Sequence, residues 1–110
     1  MLFPQSNFPS IRCSGNGFNL SLMEDVGILV KGNMDGMGIK GAFSSNPSSY
    51  NITGWFEPTP SVASETAVIL QIFRSDGAIS GEITVRYRSG QITKKTLSGI
   101  CQPASSKPIF

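Results

Sequence analysis

The sequence contains no histidine in its 110 residues. That absence excludes Ser–His and Cys–His nucleophilic pairs and every histidine-ligated metal centre. Cysteine occurs only twice, at Cys13 and Cys101, too few for a structural zinc site without other ligands. Charge is sparse and nearly balanced, nine Lys plus Arg against seven Asp plus Glu for a net +2. That balance describes neither a nucleic-acid arm nor an acidic tail. Long apolar runs are missing too: the nearest candidate, AVILQIF at 67–73, is interrupted by Gln71, so no transmembrane helix is expected. An eight-stranded outer-membrane barrel is not expected either, because strands of about nine to eleven residues plus loops would nearly exhaust the chain. MLFPQSNFPS at the start lacks a basic segment followed by an apolar one, so no signal peptide is read there.

What is present is β-strand alternation and turn chemistry. FNLSLME (18–24) places Phe18, Leu20 and Leu22 on one face and Asn19 and Ser21 on the other. IRCS (11–14), VGILVKG (26–32), MGIKGAF (37–43), YNITGWF (50–56), TAVILQIF (66–73), AISGEITVRY (78–87) and ITKKTLSGIC (92–101) read as further strands. Asn16-Gly17, Asp35-Gly36, RSDG (74–77) and RSGQ (88–91) mark turns between them. The prolines of EPTPSVASE (57–65) preclude a central strand there, and part of 60–67 is open to one helical turn. Turn signals at roughly ten-residue intervals predict one all-β domain: a small antiparallel barrel of about eight strands, closed or nearly closed. The expected boundaries are an N-terminal extension at 1–10, the barrel at 11–101 and a C-terminal tail at 102–110.

Two patterns sharpen this. An aliphatic residue followed two positions later by glycine recurs as VKG (30–32), IKG (39–41), ITG (52–54), ISG (79–81) and LSG (97–99). In a strand both residues point to one face, so each copy sets a side chain beside a vacancy, as the tapering interior of a small barrel needs. Phe18, Phe43, Trp55 and Tyr87 are candidates to fill such vacancies. Parity also constrains the last hairpin. Only an odd loop, residues 88–90 with Gly90 left-handed, brings Ile83, Val85 and Tyr87 to the face of Leu97 and Cys101. Gly81 then lies opposite Leu97, Arg86, Arg88 and Lys94 form a basic outer face, and Lys95 falls inward, near a barrel mouth from which it can snorkel.

Cys13 and Cys101 are either two buried free thiols or one disulfide joining the first and last strands. The disulfide is the preferred reading and implies an oxidising compartment: secreted, periplasmic or surface-exposed.

Chemistry is harder to place. Glu24, Asp25, Asp35, Glu57, Glu65 and Asp76 fall in turns or at strand ends, where solvated carboxylates are the simplest reading, so no enzymatic activity, metal or cofactor is expected. NMDG (33–36) lacks the ligands of a calcium loop and reads as a turn. The Arg86-Tyr87-Arg88 alternation reads as a solubilising hairpin that protects an edge strand, not as a nucleic-acid platform. Trp55 and Phe56 are adjacent, so one faces out and is a candidate contact residue.

IRCSGNGFNLSL, with the second cysteine in SGICQP, resembles the membrane-bound/periplasmic C-type lysozyme inhibitor family. The resemblance implies a disulfide-closed eight-stranded barrel whose inhibitory loop has the form Ser-x-Ser-Gly-x-x-Tyr. Residues 44–50, SSNPSSY, have that length, with Ser44 and Tyr50 in the outer positions and Asn46 and Pro47 replacing the second Ser and the Gly. Animal-type lysozymes are cationic and favour an acidic partner surface, which on this basic chain leaves Glu57 and Glu65 as a local rim. The expected site is therefore Ser44, Ser45, Asn46, Ser48, Ser49, Tyr50, Trp55, Glu57 and Glu65, acting on another protein. Two alternatives stand beside it: a calycin-like carrier of a small apolar ligand, and a structural or assembly module of a surface complex.

Overall fold

Turn chemistry sets the pairing of this chain. In the computed structural model, which describes residues 8–104, Gly17 (φ +79°), Asp35 (φ +50°), Gly36 (φ +90°) and Gly90 (φ +98°) hold left-handed turn positions. The strands they join are β1 (Ile11–Gly15), β2 (Phe18–Glu24), β3 (Leu29–Met34), β4 (Met37–Ser45), β5 (Ser49–Phe56), β6 (Ala63–Phe73), β7 (Ala78–Tyr87) and β8 (Ile92–Pro103). Each pairs antiparallel with the next, and β8 returns to β1 to close the barrel. Residues 1–7 and 105–110, most of the expected extension and tail together with Lys107, lie outside the described residues.

The last hairpin has the loop that parity requires. Tyr87 N–H donates to the Gln91 carbonyl and Gly90 N–H to the Tyr87 carbonyl, so Gly81 faces Leu97 across the ladder. Lys95 falls inward at the mouth and its Nζ reaches the Gly17 carbonyl at 3.5 Å. Three boundaries differ from expectation. Val26–Ile28, read as the start of a strand, form a turn because Gly27 takes φ +60° and Leu29 N–H bonds back to the Val26 carbonyl. β6 begins at Ala63, inside the expected connection, and a bulge at Ser64 restores its register with β7. Gln102 and Pro103, assigned to the tail, extend β8 because Arg12 and Ile11 pair with them.

Side chains fill the interior. Leu22, Val30, Ile39, Ile52, Val68, Leu70, Ile79 and Leu97 are fully buried and pack in one cluster. The repeated glycines stand among them: Gly32 between Leu22 and Ile39, Gly81 between Leu70 and Leu97, and Gly41 opposite Gly54. At Gly32 and Gly81 aliphatic neighbours stand close: a Cβ at Gly32 would come within 2.9 Å of Leu22 Cδ2, and one at Gly81 within 2.7 Å of Leu70 Cδ2, whereas Gly41 and Gly54 are closed off by backbone. Of the aromatic candidates, Phe18 lies against Gly15. Leu97 has no exposed surface, so Leu97→Ala is expected to destabilise the protein by about 2–5 kcal/mol; the midpoint of urea unfolding measures this.

The turns at 16–17, 35–36, 57–62 and 88–90 share one end, here the upper end; those at 25–28, 46–48 and 74–77 share the lower end. Phe8 plugs the lower end, its ring 5.2 Å from Phe43 and 5.4 Å from Tyr50. The outer wall is mixed: Lys31, Lys40, Glu82 and Lys94 stand in its strands beside exposed Met23, Trp55, Ile69, Ile92 and Ile100. The apolar filling of the interior differs from the polar lumen of an outer-membrane barrel.

Closure is uneven. β6, β7 and β8 have 11, 10 and 12 residues, but the β5 ladder with β6 ends at Val68 and the β1 ladder with β8 ends at Gly99. The upper parts of β6–β8 therefore project as a three-stranded flange. The molecule is correspondingly long, 49 × 31 × 24 Å.

Candidate functional site

The expected binding loop is a tight hairpin. Ser44 and Ser45 end β4, Ser49 and Tyr50 begin β5, and Ser45 faces Tyr50 across the ladder. Asn46 Oδ1 accepts from Ser48 N–H, Ser48 Oγ and Ser49 N–H at 2.8, 2.9 and 2.9 Å, an Asx-type closure. Ser49 is buried and its Oγ accepts from the Asn51 and Gln71 amides. Tyr50 turns toward the Phe8–Phe43 cluster, and the Arg74 guanidinium lies 4.8 Å from its ring centroid. Ser44, Ser45, Asn46 and Ser48 remain exposed.

Trp55, Glu57 and Glu65 are at the other end. Trp55 faces outward and its Nε1–H donates to Glu57 Oε1 at 2.7 Å, while Glu65 sits 3.6 Å from Arg86 Nε. One strand, β5, connects the two groups, so an up-and-down barrel must place them at opposite ends. Seven steps of about 3.3 Å put them roughly 23 Å apart. The expectation that Glu57 and Glu65 rim the 44–50 loop is thereby corrected.

Arg86, Arg88 and Lys94 do gather, on the flange. Arg86 meets Glu65, and Arg88 Nε donates to the Ser61 carbonyl at 2.9 Å while its N–H bonds the Val62 carbonyl. Arg88 thus braces the 57–62 loop, while Arg86 is tied to β6. Lys94 points outward beside Thr84.

Sequence reasoning passed over a recess of about 590 Å³ on the outer wall across β8, β1, β2 and β3. Register builds it from two rows: Gln102, Arg12, Ser21 and Asn33, and above them Ile100, Ser14 and Asn19, ending at Asp35. Short side chains form the floor and Arg12, Gln102 and Ile100 the walls. Asp35 Oδ1 accepts from Asn19 N–H at 3.0 Å and Asn33 Oδ1 from Gly36 N–H at 2.9 Å, which fixes those two side chains. Arg12 is exposed and makes no ion pair among the described residues, leaving its fork free for a carboxylate. The alternation in β2 placed Asn19 and Ser21 on one face, and the pairing of β1 with β2 sets Arg12 and Ser14 beside them. Asn33 needed the β2–β3 register, and Gln102 needed the closure of β8 on β1, which no local pattern carries.

Among the described residues no three Cys, Asp or Glu side chains gather as metal ligands. The recess offers donors and acceptors for a polar partner surface. Comparison with protein-family models, with curated proteins and with solved structures finds no match to this chain. Its likeness to the lysozyme inhibitors stands at the level of a small closed eight-stranded antiparallel barrel with a disulfide, Cys13 to Cys101.

Proposed function

We propose that this protein is a non-catalytic binding barrel of an oxidising compartment (secreted, periplasmic or surface-exposed) that recognises another protein through its outer wall. One observation carries the reading: apolar side chains fill the interior, while a recess of about 590 Å³ opens outward around Arg12. A filled interior favours surface recognition over carriage of an apolar ligand. The disulfide supports the oxidising compartment.

The test is capture from the native extracellular milieu by immobilised protein, comparing wild type with Arg12→Glu. Reversing the charge in the recess is expected to weaken retention of the partner at least tenfold; undiminished retention removes the recess from the interface. Saturable binding of an apolar dye inside the barrel would instead favour the carrier.

The narrower reading, a lysozyme-inhibitor-like protein, is supported by the barrel frame and by the exposure of Ser44, Ser45, Asn46 and Ser48 on a rigid turn. It predicts inhibition in a lytic assay that Ser44→Ala weakens. Full lysis in the presence of excess wild-type protein eliminates it.

A further inference from the structure

Among the described residues the flange leaves an open edge on β8. β1 covers β8 only from Gly99 to Pro103. Above that the 16–17 turn ends the ladder: Asn16 N–H donates to the Ser98 carbonyl at 3.3 Å and Asn16 Oδ1 accepts from Ser98 N–H at 3.1 Å. In a strand the N–H and C=O of successive residues point to alternate edges. The Gln91 carbonyl and Cys101 N–H bond toward β7, whereas Ser98 and Ala104 bond toward β1. The backbone groups of Ile92, Lys94 and Thr96 therefore point away from β7, and no strand of the described residues meets them. Residues 91–96 are exposed on both faces of the flange.

We propose that this edge, residues 92–96, is a strand-addition site for an extended, acidic segment of a partner protein. An unpaired row of donors and acceptors on a sheet braced by β7 and β6 is a template for an incoming strand. Charge selects which strand. Lys94 projects on the outer face and Lys95 on the inner one, so carboxylates on either face of the added strand meet an ammonium group. Arg86 and Arg88 behind them are occupied by Glu65 and Ser61. The same two lysines disfavour a second copy, whose edge would set like charges against them. Lys95 Nζ contacts the Gly17 carbonyl at only 3.5 Å in an exposed setting, so it can leave for a carboxylate at little cost. The site is independent of the recess around Arg12.

The probe is a fluorescein-labelled peptide, Thr-Glu-Val-Glu-Val-Glu-Thr, titrated by anisotropy at low salt. Saturable binding is expected, with the amides of Lys94 and Thr96 exchanging at least tenfold more slowly in the complex by NMR. Thr96→Pro deletes one outward N–H, leaves the β7 ladder intact, and should weaken binding at least tenfold. A peptide N-methylated at alternate amides should lose affinity similarly against the wild-type protein, where no folding defect can intervene. Equal binding of the methylated peptide would show that charge alone is responsible and would overturn the proposal. So would unprotected Lys94 and Thr96 amides in the complex, or a concentration-dependent dimer in sedimentation that already protects them.

Discussion

Replacing Cys13 and Cys101 together by alanine is expected to lower the unfolding free energy by about 4–5 kcal/mol, the chain-entropy value for a loop of this length. The bond spans 88 residues and joins directly opposed positions of β1 and β8, with Cα atoms 3.9 Å apart. It lies on the seam that closes the barrel, where five residue pairs, Ile11 with Pro103 through Gly15 with Gly99, make the whole ladder. Total stabilities of small domains are about 5–15 kcal/mol, so the loss is large enough to bring the protein near its unfolding threshold. Urea unfolding of the variant against wild type measures it. Dithiothreitol should destabilise wild type by a similar amount and leave the variant unchanged. A double-alanine protein within about 1 kcal/mol of wild type would mean that the seam holds without its staple. Amides of β1 should also exchange faster in the variant, because local opening then begins at the shortest strand.

The second large effect lies at the facing glycines of β4 and β5. Gly41→Val and Gly54→Val are each expected to destabilise by roughly 3 kcal/mol or more, the upper range for overpacking. A Cβ at Gly41 would sit 2.6 Å from the Thr53 carbonyl oxygen and 2.8 Å from Gly54 Cα. Both obstacles are backbone, so no rotamer change relieves them; the strands must separate and give up ladder bonds. Ala42→Val, one residue along and pointing outward between Leu29 and Thr53, serves as the control and should stay within about 0.5 kcal/mol of wild type. Thermal melts of the three variants decide the matter. A Gly41→Val protein as stable as the control would imply that the strand pair can part without loss, and that the aliphatic-x-Gly spacing has some other cause.

That spacing, with the parity of the last hairpin, was legible before any coordinates. Strand alternation is a local property of period two, so it told Leu97 from Ser98 and Cys101 from Ile100. Left-handed turn positions are equally local, which is why Gly90 sufficed to set Gly81 opposite Leu97. Local reading failed where a residue's conformation outweighed its hydrophobicity. Val26 and Ile28 look like strand residues, yet Gly27 turns the chain and leaves both exposed. It failed again at Tyr50, whose loop position suggested a contact residue but whose ring is enclosed by Phe8 and Arg74, distant in sequence.

The sequence by itself therefore determined an all-β barrel, the faces of its strands and the glycine-lined taper, and it favoured the cysteine pairing that the structure shows. Only the tertiary structure brought together the two surfaces proposed for recognition. The recess around Arg12 and the open edge of β8 depend on how far each strand overruns its neighbour. That overrun is the sum of every register around the barrel, closing between residues 88 positions apart, and no short stretch of sequence contains it.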